Sequence, residues 1–208
     1  MLSFYLFLVS FLFLNVQAFR AQPRNLKRHT AVVPFASADV RQCGTDAGQF
    51  QDIRLKLLFS HVVDTSSSNS HAAFISLKAF HDAPKRGRLD VANETDFRYH
   101  IHQNSCITQD LSRDCTLAGS HYDPYGAGKK NPYKCDDNDP ETCEAGDLSG
   151  KHGVLRVHDL VGSEVSGYFD EFVSLDGVNS VLNRAVVVHT LEGARVACGD
   201  IQLLRNLA

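Results

Sequence analysis

Tyr99-His100-Ile101-His102 sets two imidazoles two residues apart. On a β-strand, residues i and i+2 point to the same face. Their Cα atoms would lie ~6.7 Å apart, so both rings can reach one metal ion. The same spacing also suits two histidines that hold no metal. His189 closes the β-forming run Val186-Val187-Val188-His189, and His121 lies at a loop entry in Gly119-Ser120-His121-Tyr122-Asp123-Pro124. A lone histidine in either setting is more often structural than a ligand, and spacing cannot show whether the four converge. Asp136, Asp137 and Asp139 resemble a calcium loop only superficially. They lack its central glycine and the spacing to a terminal glutamate, which leaves a solvated acidic loop.

The elements that must position these rings read as strands. Ile53–Ser60, Ala72–Phe80, Phe97–His102, Gly153–His158, Tyr168–Leu175, Arg184–Thr190 and Ala194–Leu204 are short and rich in Val, Ile, Phe and Tyr. Turn-forming stretches separate them, such as Thr65–Ser70 and Gly126–Pro132. No long stretch repeats apolar residues at helical spacing. This pattern predicts an all-β fold, an antiparallel sandwich or flattened barrel. Between Tyr122 and Lys151 the strand pattern stops, in favour of Gly, Pro, Asp and two cysteines. A loop that long is functional or disordered, and the cysteines argue for order.

The chain has 208 residues, 21 Lys+Arg and 24 Asp+Glu. Arg20, Arg24, Lys27 and Arg28 all precede residue 31, which leaves 17 bases against 24 acids in the remainder. So acidic a body lacks the basic surface that nucleic acid requires. Met1 to Val16 is almost continuously apolar, and Val16-Gln17-Ala18 offers small residues for cleavage after Ala18. Residues 1–18 thus read as a secretory signal peptide, with no membrane span once it is removed. Residues 19–40 read as a polar, basic tail or pro-segment, and residues 41–208 as the β domain. Secretion places Cys43, Cys106, Cys115, Cys135, Cys143 and Cys198 in an oxidising compartment. Six such cysteines suggest three disulfides, with fifteen possible pairings. Asn93-Glu94-Thr95 is a glycosylation acceptor triplet.

From about Tyr99 to Ile201 the chain resembles the secreted Cu,Zn-type superoxide dismutases. Five motifs in order carry the likeness: His100-x-His102; Cys115 followed six residues later by His121-Tyr122-Asp123-Pro124; Gly146-Asp147-Leu148; the Val-Val-His strand ending at His189; and Arg195 with Cys198-Gly199. The resemblance implies a Greek-key β-sandwich of about eight strands. It implies copper bound by His100, His102, His121 and His189, and a Cys115–Cys198 disulfide. It also implies disproportionation of superoxide to oxygen and hydrogen peroxide, by alternate reduction and oxidation of one copper. A pairing of Cys135 with Cys143 inside the long loop is expected beside it, and of Cys43 with Cys106 by elimination.

The departures from the family pattern matter as much. Between His121 and Asp147 there is no further histidine, and Glu144 stands where the last zinc-binding histidine would be. The stretch from His189 to Cys198 is too short for the long charged loop of the two-metal enzymes. In these respects the chain looks like the copper-only superoxide dismutases, which hold one copper per chain and no zinc. Glu144 is then expected to accept a hydrogen bond from His121, whose second nitrogen has no metal, and to support proton transfer at that ring. Asp147 is expected to brace its loop through backbone N–H groups, and Arg195 to hold the anionic substrate. Glu144 as a solvated loop acid and Arg195 as a surface ion-pair partner remain open. His29, His61, His71, His81, His152 and His158 receive no role. The reading at this level is a secreted, copper-only superoxide dismutase, with a secreted copper-binding or cell-surface module of little turnover as the alternative. Its oligomeric state is open, with a monomer favoured.

Overall fold

The computed structural model describes residues 30–31, 35–43, 54–63, 73–79, 96–156 and 166–204. The expected signal peptide, most of the expected basic tail, Asn93 and His29, His71, His81 and His158 lie outside these residues. Among the described residues, no helix is long and apolar enough to cross a membrane.

Among the described residues, nine antiparallel strands form the sheet: β1 (Thr30–Ala31), β2 (Ala36–Gln42), β3 (Arg54–Val63), β4 (Ala73–Ala79), β5 (Asp96–Ile101), β6 (Leu155–Arg156), β7 (Ser166–Asp170), β8 (Ala185–His189) and β9 (Arg195–Leu203). Eight follow the order β6-β5-β8-β9-β2-β3-β4-β7, and β1 pairs with β3. β2, β3 and β4 form a meander. The chain then crosses to β5 and β6 on the other flank, returns to β4 with β7, and crosses again to β8. Strand β9 lies between β8 and β2, beside the first strand of the meander, as in Greek-key connectivity. The all-β reading therefore holds.

Alternation explains which face is buried. Ala36, Ala38 and Val40 on β2, Leu55, Leu57 and Phe59 on β3, and Ile75 and Leu77 on β4 all enter one core. From the other flank Phe97, Tyr99 and Ile101 on β5 and Val186 and Val188 on β8 join them. Each large side chain fully buried here contributes about 1.5–3 kcal/mol. Strand β2 corrects the domain boundary. Ala36–Val40 belongs to a central strand between β3 and β9, not to a tail ending at residue 40. Its small residues, Ala36, Ser37 and Ala38, carry weak β-propensity, so the segment did not read as a strand.

One short helix, α1 (Leu148–His152), was not foreseen. Asp147 caps its start by accepting the Gly150 N–H at 2.8 Å, and Gly153 ends it at φ 89°. Leu148 enters the core. Ser149 docks the helix on β5, accepting the Tyr99 N–H at 2.6 Å and donating to the Tyr99 carbonyl at 3.1 Å. Lys151 and Asp170 form a buried ion pair at 2.7 Å that ties α1 to β7. Lys151 also donates to the Ala145 carbonyl at 2.8 Å.

Candidate metal centre

His100 pairs across the sheet with Val187, and Tyr99 with Val188. Tyr99 and Val188 face the core, so His100, His102 and Val187 point to the opposite face. His189 follows Val187 at the same parity, beside a register shift between Val188 and His189. Such irregularities re-aim a side chain at the end of a ladder. His121 arrives from the loop. It forms an isolated bridge with His102, held by Gln103 N–H to the Ser120 carbonyl and Tyr122 N–H to the Ile101 carbonyl. Gly146 wedges between these segments, donating to the Tyr122 carbonyl and accepting from the Ile101 N–H. A Cβ there would overlap the Ile101 carbonyl, so the close approach requires glycine.

The four rings form a near-square. Going round it, His100–His121, His121–His102, His102–His189 and His189–His100 centroids lie 4.1, 5.0, 5.2 and 4.9 Å apart. The diagonals His100–His102 and His121–His189 are 6.3 and 6.2 Å. One nitrogen of three rings is committed outward. His102 Nδ1–H donates to the Gly119 carbonyl at 2.9 Å, and His189 Nδ1–H to the Gly193 carbonyl at 3.1 Å. His121 Nδ1–H donates to Glu144 Oε2 at 2.6 Å. Carbonyl and carboxylate oxygens only accept, so the protons sit on Nδ1 and each Nε2 presents a lone pair. His102 Nε2 and His189 Nε2 face each other at 3.1 Å, two acceptors with no proton between them. His100 Nδ1 is buried without any hydrogen-bond partner.

Electrostatics keeps these lone pairs available. Burial, reinforced by the neighbouring imidazoles, lowers the pKa of His100 to about 2. Burial likewise lowers His102 to about 3, against the opposing Gly119 hydrogen bond. Burial lowers His189 too. Buried neutral imidazoles are metal ligands in waiting, and four nitrogens in a square suit a tetragonal copper ion.

The structure places the other expected residues around this quartet. Glu144 meets His121 as described. Asp147 accepts the Gly150 N–H and stands 3.5 Å from His100 Nε2. Arg195 spends much of its guanidinium on backbone. Its Nη1 donates to the Cys115 and Thr116 carbonyls at 2.6 and 3.2 Å, and its Nη2 to the Gly119 carbonyl at 2.5 Å. It thereby shares the acceptor that orients His102. It is not a surface ion-pair partner in this arrangement, and Glu144 is not a solvated loop acid.

Cys135 and Cys143 are bonded, with Cα atoms 4.3 Å apart. The Cys115 sulfur lies at bonding distance from Cys198 and also from Cys43, with Cα separations of 5.7 and 5.6 Å. One sulfur makes one disulfide, so these two pairs are alternatives within one cluster. The expected Cys43–Cys106 pair is not formed. Cys43 follows β2, whose pairing with β9 sets Arg41 opposite Cys198 and carries Cys43 to that side. Cys106 is a buried free thiol. Burial, helped by Asp200, pushes it up to about 12. Elimination failed because it required all six cysteines to pair.

Sequence reasoning missed Tyr133, Ser149, Lys151 and Asp170, all of which hold the loops of the site. His152 proves to be structural, donating to Asp170 at 2.8 Å and stacking on Tyr168 at 3.8 Å. Asp136, exposed, accepts hydrogen bonds from Asn138 and joins no metal-holding group among the described residues.

An antiparallel β-scaffold that gathers four imidazoles with ligand nitrogens within 4.8 Å of one another defines a candidate metal-binding protein. Residues 79–201 match the family described as copper/zinc superoxide dismutase, and the chain belongs to that family. It is 32% identical over 129 residues to a cell surface Cu-only superoxide dismutase of Arthroderma benhamiae, spanning 61% of this chain and 33% of that one. It is 29% identical over 110 residues to cell surface Cu-only superoxide dismutase 5 of Candida albicans, 52% of this chain and 42% of the relative. An extracellular superoxide dismutase [Cu-Zn] of Drosophila melanogaster is 29% identical over 140 residues, 56% and 65% of the two chains. The chain thus spans a third to two thirds of these relatives' lengths. The structure of Candida albicans superoxide dismutase 5 with Cu(II) superposes with a TM-score of 0.57 at 22% identity, covering 85% of this chain and 96% of that one. That likeness speaks to the fold.

Proposed function

We propose that this protein is an extracellular copper-only superoxide dismutase, with His100, His102, His121 and His189 as the ligands of one copper. The observation that carries the reading is the set of four ring nitrogens left for a metal: the unpartnered His100 Nδ1 and the Nε2 atoms of His102, His121 and His189, whose Nδ1 atoms are each committed elsewhere. Two facing lone pairs and an orphaned buried nitrogen are costly unless a cation lies among them. Relatives named as Cu-only, cell-surface or extracellular support both the metal and the compartment.

Copper held there would supply one-electron exchange with superoxide, oxidising one molecule and reducing the next. The chain's residues supply the rest. Glu144 fixes the His121 ring by accepting its Nδ1–H, as carboxylates do behind metal-bound histidines. When His121 also carries a proton at Nε2, the same carboxylate stabilises the imidazolium. That proton then stands at the quartet, where peroxide must acquire one to leave. Arg195 keeps its charge beside His102 while its committed N–H groups lock its position. It attracts the superoxide anion through that charge and its remaining donors. Asp147 braces the turn that bears Glu144.

Superoxide decay followed by pulse radiolysis on copper-loaded, zinc-free protein tests the reading, with metal analysis alongside. Rapid disproportionation with about one copper per chain is expected. Copper bound without turnover, or tightly held stoichiometric zinc, would overturn it. Glu144→Gln is expected to retain copper but turn over more slowly, most visibly at high pH where protons are scarce.

A further inference from the structure

We propose that Tyr133 is a positioning residue of the metal centre, its hydroxyl clamping the Glu144–Asp147 turn so that both carboxylates face their imidazoles. The inference rests on the quartet being the copper site.

The hydroxyl works in both directions. It donates to Asp147 Oδ2 at 2.8 Å and accepts the Glu144 N–H at 3.0 Å. Each of these residues then reaches a different ring. Glu144 Oε2 lies 2.6 Å from His121 Nδ1, and Asp147 Oδ1 lies 3.5 Å from His100 Nε2. His100 and His121 are the closest pair of rings in the quartet, at 4.1 Å. One phenol oxygen therefore links the backbone of the residue that meets His121 to the carboxylate that faces His100.

The remaining supports of the turn do not replace it. Lys151 holds the Ala145 carbonyl and Gly146 is tied to Ile101 and Tyr122, so the backbone between the two acids is anchored from the core side. Beside the bond from the Asp147 N–H to the Glu144 carbonyl, Tyr133 alone among the described residues joins the Glu144 N–H to the Asp147 carboxylate. Asp147 Oδ1 is occupied by the Gly150 N–H, which sets the carboxylate's hinge but leaves its second oxygen to Tyr133. Burial raises the phenol's pKa, which keeps it a donor over the working range. Without the hydroxyl, the Glu144 N–H and Asp147 Oδ2 both lose their partner, and the Asp147 carboxylate is free to turn relative to His100.

Tyr133→Phe removes the hydroxyl and preserves the ring. A control comes from Tyr168→Phe, which breaks the Tyr99–Tyr168 hydroxyl contact of 3.0 Å away from the quartet. Nitrogen-resolved NMR of the imidazoles in the metal-free full chain reads the effect before any copper is added. In Tyr133→Phe the His121 Nδ1–H resonance is expected to move upfield and exchange faster, while Tyr168→Phe leaves it in place. After loading, the Cu(II) EPR hyperfine splitting is expected to change in Tyr133→Phe only. Copper affinity, measured by competition, is expected to fall about three- to tenfold, the equivalent of one hydrogen bond. In the unsubstituted chain a slowly exchanging Tyr133 hydroxyl proton should be detectable, so the test does not depend on the variant folding. An unshifted His121 resonance and an unchanged EPR spectrum in Tyr133→Phe would overturn the assignment. So would an equal response from Tyr168→Phe, or the absence of the protected hydroxyl proton. A chain that fails to consume superoxide yet shows the imidazole shift would defeat the proposed activity and leave the Tyr133 assignment standing.

Discussion

Acid is expected to unfold the metal-free chain far sooner than its carboxylates alone would. Burial and the neighbouring imidazoles hold His100 at about 2 and His102 at about 3, against about 6.5 in the unfolded chain. Between those values the unfolded chain takes up protons that the folded chain refuses. Stability is therefore level above pH 6.5 and falls as pH drops below it. Each neutral imidazole loses about 1.4 kcal/mol per pH unit. Two units down, at pH 4.5, the pair costs about 5 kcal/mol. His189 is shifted in the same direction and adds to the loss. A domain has about 5–15 kcal/mol in total, so much of it is gone. Urea unfolding of metal-free protein, followed by circular dichroism at pH 7.5, 6.5, 5.5 and 4.5, measures the slope directly. His102→Gln should reduce that slope by about 1.4 kcal/mol per pH unit below 5.5. A constant unfolding free energy from pH 7.5 to 4.5, or a His102 ring proton titrating near 6.5 in the folded chain, would refute the reasoning.

Lys151→Met should destabilise the protein by about 3–5 kcal/mol in denaturant unfolding, because it takes the cation from the buried Asp170 charge and leaves it only the His152 and Phe172 N–H groups. Lys151→Met/Asp170→Asn should recover part of that loss, and a double mutant no better than the single would contradict the pairing. Asp170 itself is pushed up by burial but pulled further down by His152 and Lys151. Its contribution is thus present above about pH 4 and lost as pH falls through its lowered folded value. Arg195→Lys should not restore what Arg195→Ala loses in thermal melting, since an ammonium cannot span the Cys115, Thr116 and Gly119 carbonyls. Gly128→Ala should cost about 1–3 kcal/mol and displace the His121 Nδ1–H resonance, because a Cβ there overlaps the Glu144 carboxylate.

Much of the framework was legible in the residues. Runs such as Arg54–Val63 and Ala185–His189 alternate or saturate with β-branched residues, and their strand character follows from local pattern. The convergence of His121 was not legible from spacing. It depends on a bridge to His102 from a distant part of the chain, which no local pattern announces. The family resemblance implies that convergence and the place of Glu144 beside His121. The cysteine cluster defeated counting, since the path of β2 past β9 decides which sulfur meets Cys115. Ala36–Val40 hid because small residues suffice where two strands already crowd in. Lys151 and Asp170 were invisible for a related reason: a charged residue in sequence reads as solvated, and only tertiary packing shows that it has a buried counterpart.

The imidazoles and the core residues of β5 and β8 alternate one by one: Tyr99 inward, His100 outward, Ile101 inward, and Val186 and Val188 inward beside an outward Val187. Inserting a single residue into either strand would turn the histidines into the apolar interior and set valines and a tyrosine where the imidazoles must gather. Chain length in these two segments is therefore quantised. A connecting loop can change length without disturbing this alternation, whereas a change of one residue within these ligand-bearing runs reverses it.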